Sequence, residues 1–196
     1  MNILYLITKY FTCPGAFLKG FWEHVTCRVL KLQVTDRRYL RANERCGHAA
    51  HAPAMSPARA FLLSFLPYLP QRILGWIFVG ASAAPLLLFH MHSLERNPLL
   101  PFEAVALFLG LSLLCSSFPQ WEDAKRQWQL FYGAPEAEPE VEPEVEAEPE
   151  TPPAGLAAKI ILAPCNAYFL VGAWLERHGI PVILAIAITV AALVLG

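Results

Sequence analysis

The chain has 196 residues, of which 56% are hydrophobic and only 16% charged, and its formal net charge is -1. The apolar residues fall into long blocks, so this composition excludes an ordinary soluble globular domain. The five cysteines form no Cys-x-x-Cys pair, which favours reduced thiols over a disulfide framework.

The first apolar run, Asn2 to Leu18, contains one lysine and ends around Cys13-Pro14-Gly15. No cleavable signal peptide is recognisable, so we predict that this run stays in the mature protein as a short span or an interfacial helix. From Ala16 to Leu32 apolar residues recur at helical spacing, which predicts an amphipathic helix.

The stretch from Thr35 to Arg59 is polar and basic, and we interpret it as a loop. Its segment Arg37 to Arg45 carries four arginines that would attract anionic lipid headgroups. Nucleic acid is not an expected partner, because no recognised binding motif accompanies the charge. Ser56-Pro57 is typical of a helix start.

The apolar stretch from Ala60 to His92 is too long for one simple span. Pro67 and Pro70 should divide it, because proline lacks a backbone donor and clashes with the preceding turn. We predict a broken or re-entrant segment over Phe61 to Leu69 and a membrane span over Ile73 to Phe89.

Further spans are predicted over Leu99 to Phe118, Leu156 to Leu175 and Ile180 to Gly196. Pro119 to Asp123 marks the exit from the first of these, and Ala124 to Tyr132 is predicted to be a short interfacial helix.

Between these spans, glutamate occupies every second position from Glu136 to Glu150, interleaved with proline, alanine and valine. Such a segment cannot bury apolar area, so we predict a disordered, extended linker over residues 133–155. The chain then divides into a membrane region over residues 1–132, this linker, and a C-terminal membrane hairpin over residues 156–196.

The predicted fold class is therefore an all-α, multi-pass integral membrane protein of the cytoplasmic membrane. It would contain about four to five membrane helices and one broken or re-entrant segment. Basic residues concentrate between Lys19 and Arg59, which places that region and residues 119–158 in the cytoplasm. Residues 176–181 would then lie on the outer side.

Three stretches resemble the bacterial site-2-protease-like membrane zinc metalloproteases. Cys13-Pro14-Gly15 and Cys27-Arg28 flank the helix on which that family carries its His-Glu-x-x-His signature. The other two are Cys46 to His51, followed by the proline-containing segment Ala60 to Pro67, and Leu109 to Ala124, in which the family's exit motif can supply an acidic metal ligand. The resemblance covers roughly the first 130 residues and implies a zinc-dependent membrane protease.

At the signature positions, however, the sequence reads Lys19-Gly20-Phe21-Trp22-Glu23. Zinc hydrolases need two imidazoles at i and i+4 and an adjacent glutamate that takes a proton from the metal-bound water. A charged lysine cannot be a ligand, and glycine cannot be a base. The sequence therefore favours a degenerate relative without enzymatic activity.

Any remaining metal site, with zinc as its metal, would draw on a small set of candidate ligands: Glu23, His24, Asp123, His48 and His51. Each has a plainer interpretation. Glu23 can pair with Lys19 along the helix, and His24 can lie at the membrane interface. The two later histidines can be solvated loop residues, and Asp123 can be a carboxylate at a helix start.

The leading hypothesis is a non-catalytic, membrane-embedded relative of these zinc metalloproteases that binds, scaffolds or regulates a protein partner in the lipid bilayer. One alternative is an active membrane zinc metalloprotease with rearranged ligands. The other is a membrane protein unrelated to hydrolases.

Overall fold

A computed structural model of the protein describes residues 12–36, 50–52, 56–83, 97–133 and 155–195. Several predictions fall outside these residues: the first apolar run up to Phe11, the arginine-rich segment with His48, and almost all of the acidic linker. The described part is mostly helical, as predicted. Its helices are α1 (Cys13–Val29), α2 (Pro57–Phe65), α3 (Tyr68–Ala83), α4 (Leu100–Cys115), α5 (Trp121–Tyr132), α6 (Leu156–Arg177) and α7 (Ile180–Leu195).

Helix α1 begins three residues before the predicted start at Ala16, with Pro14 in its first turn. Proline is favoured there because its missing N–H would have no helical partner. Gly15 packs directly on α4, since a Cβ at this position would lie 2.1 Å from the carbonyl oxygen of Ser112. The helix ends where Lys31 adopts a φ of 57°. These features place α1 against α4 at van der Waals distance.

The predicted break in the second apolar stretch is confirmed. Helix α2 begins at Pro57, and the Ser56 side chain caps it by accepting a hydrogen bond from the Arg59 N–H at 3.2 Å. The helical pattern is interrupted at Leu66 and Pro67, after which α3 begins. Pro70 lies in the first turn of α3 and causes no second break, because that turn needs no donor at this position.

Helices α3 and α4 pack closely through two glycines. A Cβ on Gly110 would lie 2.8 Å from the Val79 backbone nitrogen, and one on Gly75 would meet the Leu114 side chain at the same distance. The predicted span to Phe118 is too long, because α4 ends at Cys115 and residues 116–120 form the connection to α5. At the end of α4, Gln71 of α3 donates from Nε2 to the carbonyls of Gly15, Leu113 and Ser116. Gln71 thus links α3 to α1 and α4.

Helix α5 begins at Trp121 rather than at Ala124, so Glu122 and Asp123 belong to its first turn and not to a connecting segment. Acidic side chains are favoured there because they interact with the free backbone N–H groups. Along α5, Gln127 donates to Asn166 of α6 at 2.5 Å and Tyr132 donates to the Lys159 carbonyl at 2.8 Å. The helix expected at the interface is therefore packed lengthwise on α6.

The end of α6 lies beside the start of α5. Glu176 accepts a hydrogen bond from the Phe118 N–H at 3.0 Å, and Arg177 lies 3.9 Å from Glu122. Residues in contact cannot lie on opposite sides of a bilayer about 30 Å thick. The predicted placement of residues 119–158 and 176–181 on opposite sides is therefore wrong.

The predicted polar loop contains a short antiparallel ladder that sequence reasoning missed. Strand β1 (Val34–Asp36) pairs with β2 (Ala50–His51), with Val34 opposite His51. The ladder adds a small β element to the predicted all-α class. Its consequence for function is that it fixes the position of His51.

Two helical segments are long and apolar enough to cross a membrane: Pro57–Ala83, which includes the interruption, and Leu156–Arg177. Helix α4 (Leu100–Cys115) and the Ile180–Val190 part of α7 are shorter apolar helical segments. Large apolar side chains on these helices are exposed, among them Trp76, Phe102, Ile161 and Ile188.

Candidate buried polar site

Helix α1 carries two charged side chains on one face, Lys19 and Glu23, which are one turn apart. They are 1% and 2% exposed, respectively. Burying a charge is costly unless it is paired and hydrogen-bonded, so both side chains require partners. Those partners come from helices that are distant in sequence.

The partner of Lys19 is Glu176 at the end of α6. Lys19 Nζ donates to Glu176 Oε1 at 2.6 Å, and the two side chains are 1% and 8% exposed. The second carboxylate oxygen accepts the Phe118 N–H. The Lys19 ammonium also lies 5.6 Å from the ring centroid of Tyr68. Glu176 therefore ties α1 to α6 and to the connection that precedes α5.

Tyr68, the first residue of α3, completes the environment of Glu23. Its hydroxyl donates to Glu23 Oε1 at 2.5 Å, and the Tyr68 side chain is fully buried. A hydrogen bond to a carboxylate is stronger than one between neutral groups. Tyr68 directly follows Pro67. The break between α2 and α3 therefore positions the Tyr68 hydroxyl beside Glu23.

His51 and Asp123 form the third pair. His51 Nε2 lies 3.7 Å from Asp123 Oδ2, and His51 Nδ1 lies 2.9 Å from the Ala52 carbonyl oxygen. The β1–β2 ladder supplies the histidine and the first turn of α5 supplies the carboxylate. Two of the predicted metal-ligand candidates are therefore neighbours.

The charge state of His51 follows from this pairing. Burial alone would lower its pKa, but the neighbouring Asp123 carboxylate outweighs burial, with smaller contributions from the Ala52 carbonyl and Glu23. Together they raise the pKa of His51 to about 9. The imidazole is thus protonated at neutral pH, and a protonated ring has no lone pair for a metal.

Glu23 and Asp123, two of the predicted metal-ligand candidates, lie in the same region. Both carboxylates act electrostatically on the Cys27 thiol, which is fully buried one turn after Glu23. Both also act on His51 and on the Tyr68 hydroxyl. The site is therefore one cluster of alternating positive and negative groups.

His24 is buried within the protein, at 8% exposure. His48 lies outside the described residues. The sequence suggested that Lys19 pairs with Glu23 along the helix. The structure shows that Lys19 forms an ion pair with Glu176 of α6. Tyr68 and Glu176 were missed by sequence reasoning, which assigned Glu176 to an outer loop.

The residues present do not fit a zinc ion. At the position of the family's first histidine, an ammonium group with no lone pair is bound to a carboxylate. Across the described ranges, no three His, Cys, Asp or Glu side chains are grouped so that they could hold a metal. No catalytic step through a metal can therefore be derived from this site.

Comparison of the chain with known protein families, with curated proteins and with solved structures found no match.

Proposed function

We propose that this protein is a non-catalytic, membrane-embedded relative of the site-2-protease-like zinc metalloproteases, acting as a binding, scaffolding or regulatory protein in the cytoplasmic membrane. The observation that supports the proposal is the buried Lys19–Glu176 ion pair, in which Lys19 stands where the resemblance implies the first zinc-binding histidine.

The pair supports a structural role for the site through charge. A catalytic zinc centre places a divalent cation among neutral imidazoles and a carboxylate. Here the Lys19 ammonium and the protonated His51 ring stand opposite the carboxylates of Glu176 and Asp123. The protein's own cations pair with two of the site's three carboxylates, and Tyr68 donates a hydrogen bond to the third, Glu23, so these contacts hold the helices together.

The membrane part of the proposal is supported by apolar surface. The exposed side chains of α3, α4, α6 and α7 include many large apolar groups, such as Ile73, Val105, Ile160 and Leu184. Soluble monomers seldom expose so many large apolar side chains on several helices. Lipid is the environment in which this surface is stable.

Metal content tests the proposal. The full chain, purified in detergent, is analysed by elemental mass spectrometry beside a His24→Ala plus Asp123→Ala double variant. We expect no stoichiometric zinc in either protein. Near-stoichiometric zinc that disappears in the double variant would overturn the proposal and favour the alternative, an active metalloenzyme with rearranged ligands.

A second variant tests the family relationship itself. Lys19→His, Gly20→Glu and Glu23→His together rebuild the His-Glu-x-x-His signature on α1. If the helix derives from a zinc-binding frame, the rebuilt protein should bind zinc with Asp123 as a further ligand, and an added Asp123→Ala change should weaken that binding. A folded triple variant that binds no zinc would count against the relationship.

A further inference from the structure

Arg72 lies near the start of α3 and is a half-buried charged side chain outside the buried polar site. Its Nη2 donates to the Ser117 carbonyl oxygen at 2.9 Å, at the carboxyl end of α4. Its Nε is buried and has no hydrogen-bond partner. Among the described residues no carboxylate forms an ion pair with it, since the nearby Glu176 uses its two oxygens for Lys19 and Phe118.

Three aromatic rings hold the guanidinium in place. Its central carbon lies 5.0 Å from the ring centroids of Phe118 and Tyr168 and 5.9 Å from that of Phe169. Aromatic faces attract a cation but accept none of the in-plane N–H bonds. Nη2 is the one Arg72 nitrogen that donates a hydrogen bond to the described protein, so the guanidinium keeps unused donors.

This region borders the apolar surface. Arg72 is itself only half-buried, Tyr168 is 49% exposed, and the next residue along α3, Ile73, is also exposed. A cation on a membrane-facing helix is costly without an anion. Phosphate oxygens match the planar fork of arginine, and acyl chains match the surrounding apolar side chains.

We propose that Arg72 binds a phosphate group, and specifically the phosphodiester of an anionic phospholipid, between α3 and α6. The proposal depends on the membrane location and not on the relationship to metalloproteases. It differs from the expected attraction of lipid to the Arg37–Arg45 segment, because it assigns a single guanidinium whose rotamer is already held by aromatic contacts.

Lipid titration followed by native mass spectrometry tests this assignment on the delipidated full chain in detergent. Phosphatidylglycerol should bind more tightly than phosphatidylcholine. Arg72→Gln should weaken phosphatidylglycerol binding at least about tenfold, the equivalent of one lost charged hydrogen bond. Arg177→Gln is the matched control. It removes an exposed arginine at the end of α6 that lies beside Glu122, and it should change neither affinity.

Two further measurements make the result decisive. Arg72→Lys keeps the charge but loses the planar fork, so it should give an intermediate affinity even if Arg72→Gln folds poorly. Equal phosphatidylglycerol binding by the wild type and folded Arg72 variants would overturn the proposal. Arg72-dependent binding of inorganic phosphate without any lipid preference would overturn the assignment to a lipid. Neither result would alter the zinc measurement.

Discussion

Lys19 and Glu176 are 157 residues apart in the sequence, and their side chains meet at 2.6 Å with almost no exposure. The contact joins α1 to the end of α6 across the long acidic segment. It also gives the buried Lys19 ammonium the anionic partner that burial of a charge requires.

Removing one member of this pair should destabilise the protein strongly. Lys19→Met leaves Glu176 as an uncompensated buried charge, and such a change costs about 3–5 kcal/mol. Lys19→Met combined with Glu176→Met should recover much of that loss, because no charge then remains unpaired. Thermal unfolding in detergent measures both.

The matched control for this pair is Lys125→Met, which removes an exposed lysine from α5. It should leave the unfolding midpoint close to that of the wild type. Equal effects of Lys19→Met and Lys125→Met would show that the buried pair does not contribute to stability.

The hydrogen bond between Tyr68 and Glu23 gives a second prediction. Tyr68→Phe keeps the ring but removes the donor to a buried carboxylate, so the free energy of unfolding should fall by about 1–3 kcal/mol. Tyr168→Phe, at a ring that is 49% exposed, should have a much smaller effect. If the two variants unfold at the same temperature, the Glu23 contact is not stabilising.

Close helix packing gives a third prediction, at Gly15. Gly15→Ala places a methyl group 2.1 Å from the Ser112 carbonyl oxygen, so α1 and α4 must move apart. Overpacking of this kind costs about 1–3 kcal/mol or more. Gly80→Ala is the control, because a Cβ there has no atom within 4 Å and alanine favours the helix. Urea or thermal unfolding should rank Gly15→Ala far below a neutral or slightly stabilised Gly80→Ala.

The fourth prediction concerns pH. The pKa of His51 is raised from 6.5 to about 9 by Asp123, so the folded state binds this proton more tightly than the unfolded chain does. The resulting stability is fully present below pH 6.5 and is lost as the pH rises through about 9.

Comparison with Asp123→Asn isolates this contribution. The wild type should lose stability between pH 6.5 and 9 relative to that variant, in which the main cause that raises the His51 pKa is removed. Parallel stability curves for the two proteins over this range would contradict the His51–Asp123 pairing.

Local signals predicted much of the helical pattern correctly. Ser56 caps α2 as its position before Pro57 indicated, and Pro67 interrupts the following helix because it lacks a backbone donor. The predicted helix boundaries were wrong where local signals compete. Trp121 to Asp123 was assigned to an exit segment, although acidic residues also favour a helix start, and α5 begins at Trp121.

The site was predictable only in part. Glu23, His51 and Asp123 were singled out, and the structure brings them to one cluster. The sequence contains no local signal that would assign Glu176 or Tyr68 to it. Glu176 follows an apolar run and looks like any acid at a helix end. Tyr68 looks like an aromatic residue beside prolines.

The sequence by itself determined that the chain is mostly helical, apolar on its outer surfaces and without the His-Glu-x-x-His signature, because helical periodicity, caps and ligand types are properties of neighbouring residues. Only the tertiary structure decided which charges are paired. A buried lysine requires a carboxylate partner, but the sequence does not say which one. Lys19 and Glu176 are 157 residues apart, and they form an ion pair because α1 packs against the end of α6.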